Sequence, residues 1–262
     1  MLKQNLVAAT GVAVSSIGLG TVKFGRNQQV HYPDAFELPT DQEILNLLSV
    51  AQDYGINLLD TAPAYGSSEE RLGKLLKKQR KQWVLSTKVG EEFVDGASLY
   101  DFSPAHTIYS IERSLQRLNT DYLDIVLVHS NGDDAKIIAE HEIFATLDVL
   151  KKAGKIRAFG MSTKTVEGGL MAVDAADIVM VMHNPIYTAE LPVIKHAQQH
   201  QKGIFIKKAF ASGHLQKISA ADPVREAMRF IFQEPAVSSV IVGTLNQDHL
   251  RYNVECALSA NA

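Results

Sequence analysis

Cysteine is nearly absent from this sequence, and long apolar runs are absent altogether. With a single cysteine, Cys256, in 262 residues, the chain can form no internal disulfide and no cysteine-rich zinc or iron–sulfur site. No apolar run approaches the roughly 20 residues that a membrane-spanning helix requires. We therefore expect neither an oxidising compartment nor a membrane, and we predict a cytoplasmic location.

An excess of positive charge is also lacking. The chain carries 26 Lys and Arg residues against 29 Asp and Glu residues, which gives a net charge of −3. Neutralising nucleic-acid phosphates requires clustered basic side chains. The basic run at residues 74–81 suits the C-terminal end of a helix, where cations complement the helix dipole. We therefore expect no nucleic-acid partner.

Short apolar, β-branched segments alternate with amphipathic helical patterns along the chain. The pattern predicts strands at residues 17–21, 56–60, 83–88, 125–129, 156–162, 177–183, 203–208 and 239–243. It predicts helices at residues 41–53, 69–78, 104–119, 141–153, 166–175, 191–201, 223–233 and 248–258. Such repeats with continuously apolar strands are typical of a parallel sheet covered by helices.

Two parallel architectures fit this alternation, and the absence of a motif favours one of them. A doubly wound sheet usually carries G-x-G-x-x-G after an early strand, and this chain has no such motif there. We therefore predict a (β/α)8 TIM barrel. Apolar residues around Thr10 and Gly11 are too interrupted for a signal peptide and predict a short N-terminal β-hairpin. No linker divides the chain, so we expect one domain over residues 1–262.

Polar side chains follow three consecutive predicted strands, at the barrel rim where catalytic residues collect. Asp60 and Tyr65 follow the second strand, Lys88 ends the third and His129 ends the fourth. Each one alone would ordinarily be a solvated or hydrogen-bonded structural residue. Four residues with different chemical capacities at one rim point to a catalytic group.

These segments resemble the aldo-keto reductase family. The similar segments, in chain order, are residues 18–21, 55–66 (ending DTAPAYG), 68–73, 86–88, 113–118, 121–124, 154–162 and 240–253. The resemblance covers nearly the whole chain. It implies an NAD(P)H-dependent oxidoreductase that reduces aldehydes or ketones to alcohols, reversibly, with Asp60, Tyr65, Lys88 and His129 as its catalytic tetrad. Its partner would be a small carbonyl or alcohol substrate, and family members lead us to expect a monomer.

The chemistry of the four side chains agrees with that assignment. Free tyrosine has a pKa of about 10, and a neighbouring cation such as Lys88 is expected to lower it, so that Tyr65 can donate a proton. Asp60 would hold Lys88 charged, and His129 would donate a hydrogen bond to the substrate oxygen. A structural ion pair alone would explain Asp60 and Lys88 but neither Tyr65 nor His129.

The resemblance also implies where a nicotinamide nucleotide binds. The implied contacts are Ser162, Thr163, Lys207, Phe210, Ser212, Gly213, Gly243, Thr244, Leu245, Asn246, His249 and Asn253. Several positions depart from the family pattern. Among them, Met180 stands where a glutamine is usual, Lys207 where an aromatic ring usually stacks and Thr163 where an asparagine is common. We expect a modest preference for NADP(H), with NAD(H) also accepted.

Two other interpretations stay open. The chain could be a cofactor-binding sensor or auxiliary subunit with little turnover, although the complete tetrad argues against it. A metal-dependent barrel hydrolase would need clustered ligands at the strand ends, which this chain lacks. The helix residues His141, His196 and His200 have no spacing that closes a metal site, so we expect no metal. Positions proposed to face the substrate are Phe24, Trp83, Phe93 and His183.

Overall fold

The computed structural model describes residues 1–30 and 32–260. Its strands are β1 (Gln4–Val7), β2 (Val12–Ser15), β3 (Ile17–Gly20), β4 (Leu58–Asp60), β5 (Val84–Val89), β6 (Glu91–Val94), β7 (Ala97–Tyr100), β8 (Leu123–His129), β9 (Ile156–Ser162), β10 (Ile178–Met182), β11 (Gly203–Lys207) and β12 (Val237–Val242). Eight of them, β3, β4, β5 and β8 to β12, pair in parallel and close into a barrel. The predicted (β/α)8 barrel is confirmed.

Helices lie between the barrel strands. They are α1 (Val22–Gly25), α2 (Asp41–Asp53), α3 (Ser68–Leu75), α4 (Pro104–Arg117), α5 (Asp134–Glu140), α6 (Ile143–Lys152), α7 (Val166–Ala175), α8 (Leu191–Gln199), α9 (Pro223–Ile231) and α10 (Gln247–Ala260). Local sequence sets several starts. Thr40 and Glu43 form a capping box on α2, and the Ser103 side chain caps α4, whose first residue is Pro104. Within the described residues, no helix is long and apolar enough to span a membrane.

Hydrophobic side chains form two separate cores. The larger core fills the space between the strands and the surrounding helices. The smaller core lies inside the barrel and is completed by three valines of the N-terminal hairpin, Val7, Val12 and Val14. This antiparallel β1–β2 hairpin, which the sequence predicted, packs at the N-terminal ends of the strands. Asn57 there donates to the Ala13 carbonyl oxygen. The hairpin therefore closes that end of the barrel.

Side-chain alternation along the strands determines what the other end presents. Leu58, Val84 and Leu127 belong to the inner core. Because alternate residues of a strand face the same side, Asp60, Lys88 and His129 also face inward, two or four residues later. Inward positions thus change from apolar to polar toward the C-terminal ends. The fold brings the three side chains to one place.

Helix α1, the β6–β7 hairpin and helix α5 were not predicted from the sequence. The antiparallel β6–β7 hairpin follows β5 directly. Gly90 makes the turn between them with φ +97°, a conformation that favours glycine. Helix α5 occupies part of the segment between β8 and α6, for which the sequence pattern predicted no helix.

Candidate active site

A cavity of about 1020 Å³ opens at the C-terminal ends of the barrel strands. Asp60, Tyr65, Lys88 and His129 all line it. They come from the end of β4, the turn after it, β5 and the end of β8. The cavity therefore brings together all four residues that the sequence selected.

Asp60 and Lys88 form an ion pair at the bottom of the cavity wall. The Lys88 ammonium lies 2.8 Å from Asp60 Oδ2 and donates at the same distance to the Thr61 carbonyl oxygen. Ser86 Oγ donates to the second Asp60 oxygen. Burial disfavours the ammonium, but Asp60 and Tyr65 outweigh it and raise the pKa of Lys88 above its usual value. Lys88 is therefore a buried, permanently charged group.

Tyr65 lies beside this ammonium, with the centre of its ring 4.7 Å from Lys88 Nζ. Burial of the phenol raises the pKa of Tyr65, and the Asp60 carboxylate raises it further. Lys88 lowers this pKa, but the net shift is upward because the effect of burial is the largest. The expectation of a lowered Tyr65 pKa is therefore wrong for the protein alone, because desolvation outweighs the cation. Tyr65 keeps its proton at neutral pH.

His129 faces Tyr65 edge-on and has a carboxylate behind it. The two rings lie 6.2 Å apart at 88°. On the other side, His129 Nδ1 lies 2.5 Å from Glu91 Oε2. Burial lowers the pKa of His129, and the nearby cations Lys88 and Lys207 lower it further. Glu91 raises this pKa, but the net shift is downward.

Lys207 lies at the end of β11, across the cavity floor. Its ammonium donates to Ser162 Oγ at 2.9 Å and to the Thr163 carbonyl oxygen at 2.6 Å. Ser162 pairs in register with His129 in the neighbouring strand. Burial lowers the pKa of Lys207 to about 8, although the Glu190 carboxylate opposes the shift. A second cation therefore lies opposite the Asp60–Lys88 pair.

Most of the predicted cofactor contacts line the same cavity. They are Ser162, Lys207, Phe210, Ser212, Gly213, Gly243, Thr244, His249 and Asn253. Thr163, Leu245 and Asn246 are not part of the lining. The Thr163 hydroxyl is buried against Glu190, Leu245 packs on the outer core, and Asn246 accepts hydrogen bonds from the first turn of α10.

The side chains proposed to face the substrate lie elsewhere. Phe24 and Trp83 belong to the outer core. Phe93 packs under the guanidinium of Arg26, and His183 packs on Phe230. Their sequence positions near strand ends did not reveal which way each side chain points.

Several lining residues were missed by the sequence reasoning. They are Lys23, Arg26, Tyr32, Glu91, Ser98, Tyr100 and Tyr252. The available signal was weak: Glu91 follows Lys88 by three residues, and Lys23 and Arg26 follow the first barrel strand. Lys23, Arg26, Lys207 and Lys208 make this part of the lining a cationic wall, which suits an anionic ligand.

The cavity wall also suits the phosphates of an extended dinucleotide. Gly213 and Gly243 expose backbone where a side chain would crowd Pro33 and the Tyr32 hydroxyl. The N-terminus of α10, at Gln247, follows this segment closely, and helix N-termini favour anions. The residues present therefore fit a nicotinamide dinucleotide.

Outside the cavity, two histidines are closer than the sequence indicated. Asp174, His196 and His200 have ligand atoms that all lie within 4.8 Å of one another, a group that could hold a metal ion. His196 Nε2 contacts Asp174 Oδ1 at 2.7 Å. The argument from spacing alone was incomplete, because Asp174 comes from the neighbouring helix α7.

Comparison with known proteins is consistent with this geometry. The model of the Aldo/keto reductase family matches residues 16–225. The solved structure of a Pseudomonas aeruginosa protein assigned to the aldo-keto reductases superimposes with a TM-score of 0.90. It is 51% identical, and the match covers 99% of this chain and 96% of that chain.

Two curated relatives show the range of activities among similar proteins. A D-threo-aldose 1-dehydrogenase from a Pseudomonas species is 28% identical, over 84% of this chain and 72% of the relative. An NADH-specific methylglyoxal reductase from Escherichia coli is 34% identical, over 61% of this chain and 51% of the relative.

Proposed function

Because the chain belongs to the aldo/keto reductase family, we propose that it is an NAD(P)H-dependent enzyme that reduces small aldehydes or ketones and catalyses the reverse oxidation. The observation that carries this proposal is the buried Asp60–Lys88 ion pair beside Tyr65 and His129 in one cavity. A structural ion pair needs no phenol and no imidazole beside it. A carbonyl-reducing site needs a proton donor and a group that orients the carbonyl oxygen.

Each of the four side chains has a separate task in this mechanism. When bound, the nicotinamide cofactor supplies or accepts the hydride. Tyr65 donates its proton to the oxygen that becomes the alcohol, and Lys88 stabilises the phenolate that remains. Asp60 keeps Lys88 in place through the 2.8 Å contact. His129 orients the substrate oxygen toward Tyr65.

The cationic wall supports the cofactor proposal. Ser162 and Lys207 lie next to the catalytic group, and Ser212 and Gly213 lie farther along the cavity wall. His249 and the α10 N-terminus would receive the adenosine phosphate, and these partners favour NADP(H) modestly over NAD(H). Thr163, Leu245 and Asn246 stay proposals, and their side chains lie outside the cavity lining.

A substrate screen tests the proposal. NADPH or NADH oxidation would be followed under multiple-turnover conditions with a panel of carbonyls, including methylglyoxal and several aldoses because of the relatives' activities. Repeated turnover with at least one carbonyl is expected. Tight cofactor binding without turnover of any panel member would instead favour the sensor or auxiliary-subunit interpretation.

A further inference from the structure

Glu91 lies next to His129 but has no role in the proposed four-residue mechanism. It is the first residue of β6 and only 7% exposed. One carboxylate oxygen contacts His129 Nδ1, and the other accepts a hydrogen bond of 2.6 Å from Ser98 Oγ across the β6–β7 hairpin. Both oxygens of Glu91 thus have a partner, and the imidazole is held at its Nδ1 atom.

The charge of Glu91 is secure. Burial disfavours its ionised form, but His129, Ser98 and Arg26 outweigh burial and lower the pKa of Glu91 to about 2. The group is therefore a carboxylate throughout the neutral range, and a carboxylate can only accept hydrogen bonds.

This carboxylate determines which nitrogen of His129 carries the proton. A neutral imidazole has one N–H, and the contact with Glu91 places that proton on Nδ1. Nε2 then carries a lone pair and can only accept. It can donate a hydrogen bond to a carbonyl oxygen only when His129 is doubly protonated. Orienting a carbonyl therefore requires the imidazolium form.

The charged groups around His129 act in opposite directions. Lys88 on β5 and Lys207 on β11 oppose an imidazolium, and so does burial, whereas Glu91 on β6 stabilises it. Arg26, after α1, acts on Glu91. Tyr65 faces the imidazole edge-on. Among the groups that act on its pKa, Glu91 supplies the stabilisation of the protonated form.

We propose that Glu91 is a positioning residue for His129, which fixes the Nδ1–H tautomer and stabilises the imidazolium, so that Nε2 donates to the substrate oxygen in both directions of the reaction. This proposal rests on the proposed function. In reduction the carbonyl carbon gains a hydride from the reduced nicotinamide, and its oxygen gains the Tyr65 proton, which solvent later replaces. His129 keeps its protons in this step and acts through the Nε2 hydrogen bond.

Glu91→Gln tests the charge while keeping the size of the side chain. The adjacent Glu92→Gln is the matched control, because Glu92 pairs with Arg113 and lies 3.4 Å from a different histidine, His106. Histidine labelled with ¹⁵N would be titrated by NMR in both variants, with the His129 signals assigned by their loss in His129→Gln. The pH profile of kcat/KM for carbonyl reduction would be measured in parallel.

In Glu91→Gln we expect the His129 protonation constant to fall at least about tenfold, which is one pKa unit. The decline of the reduction rate with rising pH should move to lower pH by a similar amount. Neutral His129 in the unmodified protein should show the proton on Nδ1. Glu92→Gln should leave both measurements unchanged.

Two results would overturn the proposal. One is an unchanged His129 titration in Glu91→Gln, and the other is a neutral His129 with its proton on Nε2. If Glu91→Gln does not fold, Ser98→Ala loosens the carboxylate without removing its charge and should give a smaller shift in the same direction; no shift there refutes the proposal. Failure of every carbonyl to turn over would refute the proposed function alone, since the NMR titration needs no substrate.

Discussion

The Lys88 ammonium lies 2.8 Å from the Asp60 carboxylate, and the two side chains are only 1% and 4% exposed. Water therefore cannot compensate either charge if the other is removed. This separates the pair from ion pairs on the helix surfaces, such as that of Lys152 and Asp148, which are 76% and 43% exposed.

Lys88→Met should lower the free energy of unfolding by about 3 kcal/mol or more, because it leaves the Asp60 carboxylate buried and unpaired. Urea denaturation of each variant measures the change. Lys152→Met is the control and should change stability by less than about 1 kcal/mol, since exposed pairs contribute little. An equal effect of the two substitutions would contradict the importance of the buried pair.

The same substitution should alter the pH dependence of alcohol oxidation. Lys88 lowers the pKa of Tyr65 against the larger effect of desolvation. Without this cation the phenolate forms at higher pH, so the alkaline limb of the profile should move upward and turnover should slow. A profile and rate that match those of the unmodified enzyme would assign Lys88 a structural role only.

Tyr65→Phe should reduce turnover at least about a hundredfold, because it removes the proposed proton donor and keeps the ring. Cofactor binding, followed by NADPH fluorescence, should be nearly unchanged. Tyr100→Phe is the matched control, since Tyr100 lines the same cavity on β7 and has no proposed role in the reaction. Turnover of Tyr65→Phe near that of the control would exclude Tyr65 as the donor.

NADPH should be preferred over NADH by about tenfold in kcat/KM, which corresponds to roughly 1.4 kcal/mol. His249→Gln should reduce this preference, because His249 is one of the proposed partners of the adenosine phosphate. A preference for NADH would refute the assignment. An unchanged NADPH preference in His249→Gln would transfer the phosphate contact to another cation that lines the cavity, such as Lys207 or Lys208.

Lys207 gives a prediction about stability. Its pKa in the folded protein is about 8 against an ordinary 10.5, mainly because of burial. Between these values the unfolded chain holds more protons than the folded protein, so stability should rise with pH, by at most about 1.4 kcal/mol per unit. Lys207→Met should abolish this rise in denaturation curves taken at pH 8 to about 10. Lys208→Met, at the exposed neighbour, should retain it.

Much of the barrel and its catalytic group could be predicted from the sequence, because both depend on local periodicity. Alternation along β4, β5 and β8 places Asp60, Lys88 and His129 on the inner side, and the strand ends then bring them together. Boundaries were less exact: β4 begins at Leu58 rather than residue 56, and α6 begins at Ile143 rather than residue 141. Helix ends depend on caps and packing as well as on periodicity.

Features that depend on long-range packing could not be predicted in this way. Glu91 reaches His129 only because Gly90 turns the chain into a hairpin, and Ser98 then holds the carboxylate. The net direction of the Tyr65 pKa depends on desolvation, which no motif encodes. The orientations of Phe24 and Trp83 also depend on long-range packing. Their sequence positions indicated that they lie near the site, but their side chains are buried in the outer core.

The β1–β2 hairpin has a consequence for the order in which ligands bind to the protein and leave it. With Val7, Val12 and Val14 filling the opposite end, the residues that the structure describes leave one opening toward Lys88, at the C-terminal ends of the strands. If the proposed nucleotide lies deeper in this opening than the proposed carbonyl, the carbonyl must bind second and the alcohol must leave first. Steady-state kinetics should therefore follow a compulsory order, with the alcohol released ahead of the oxidised nucleotide.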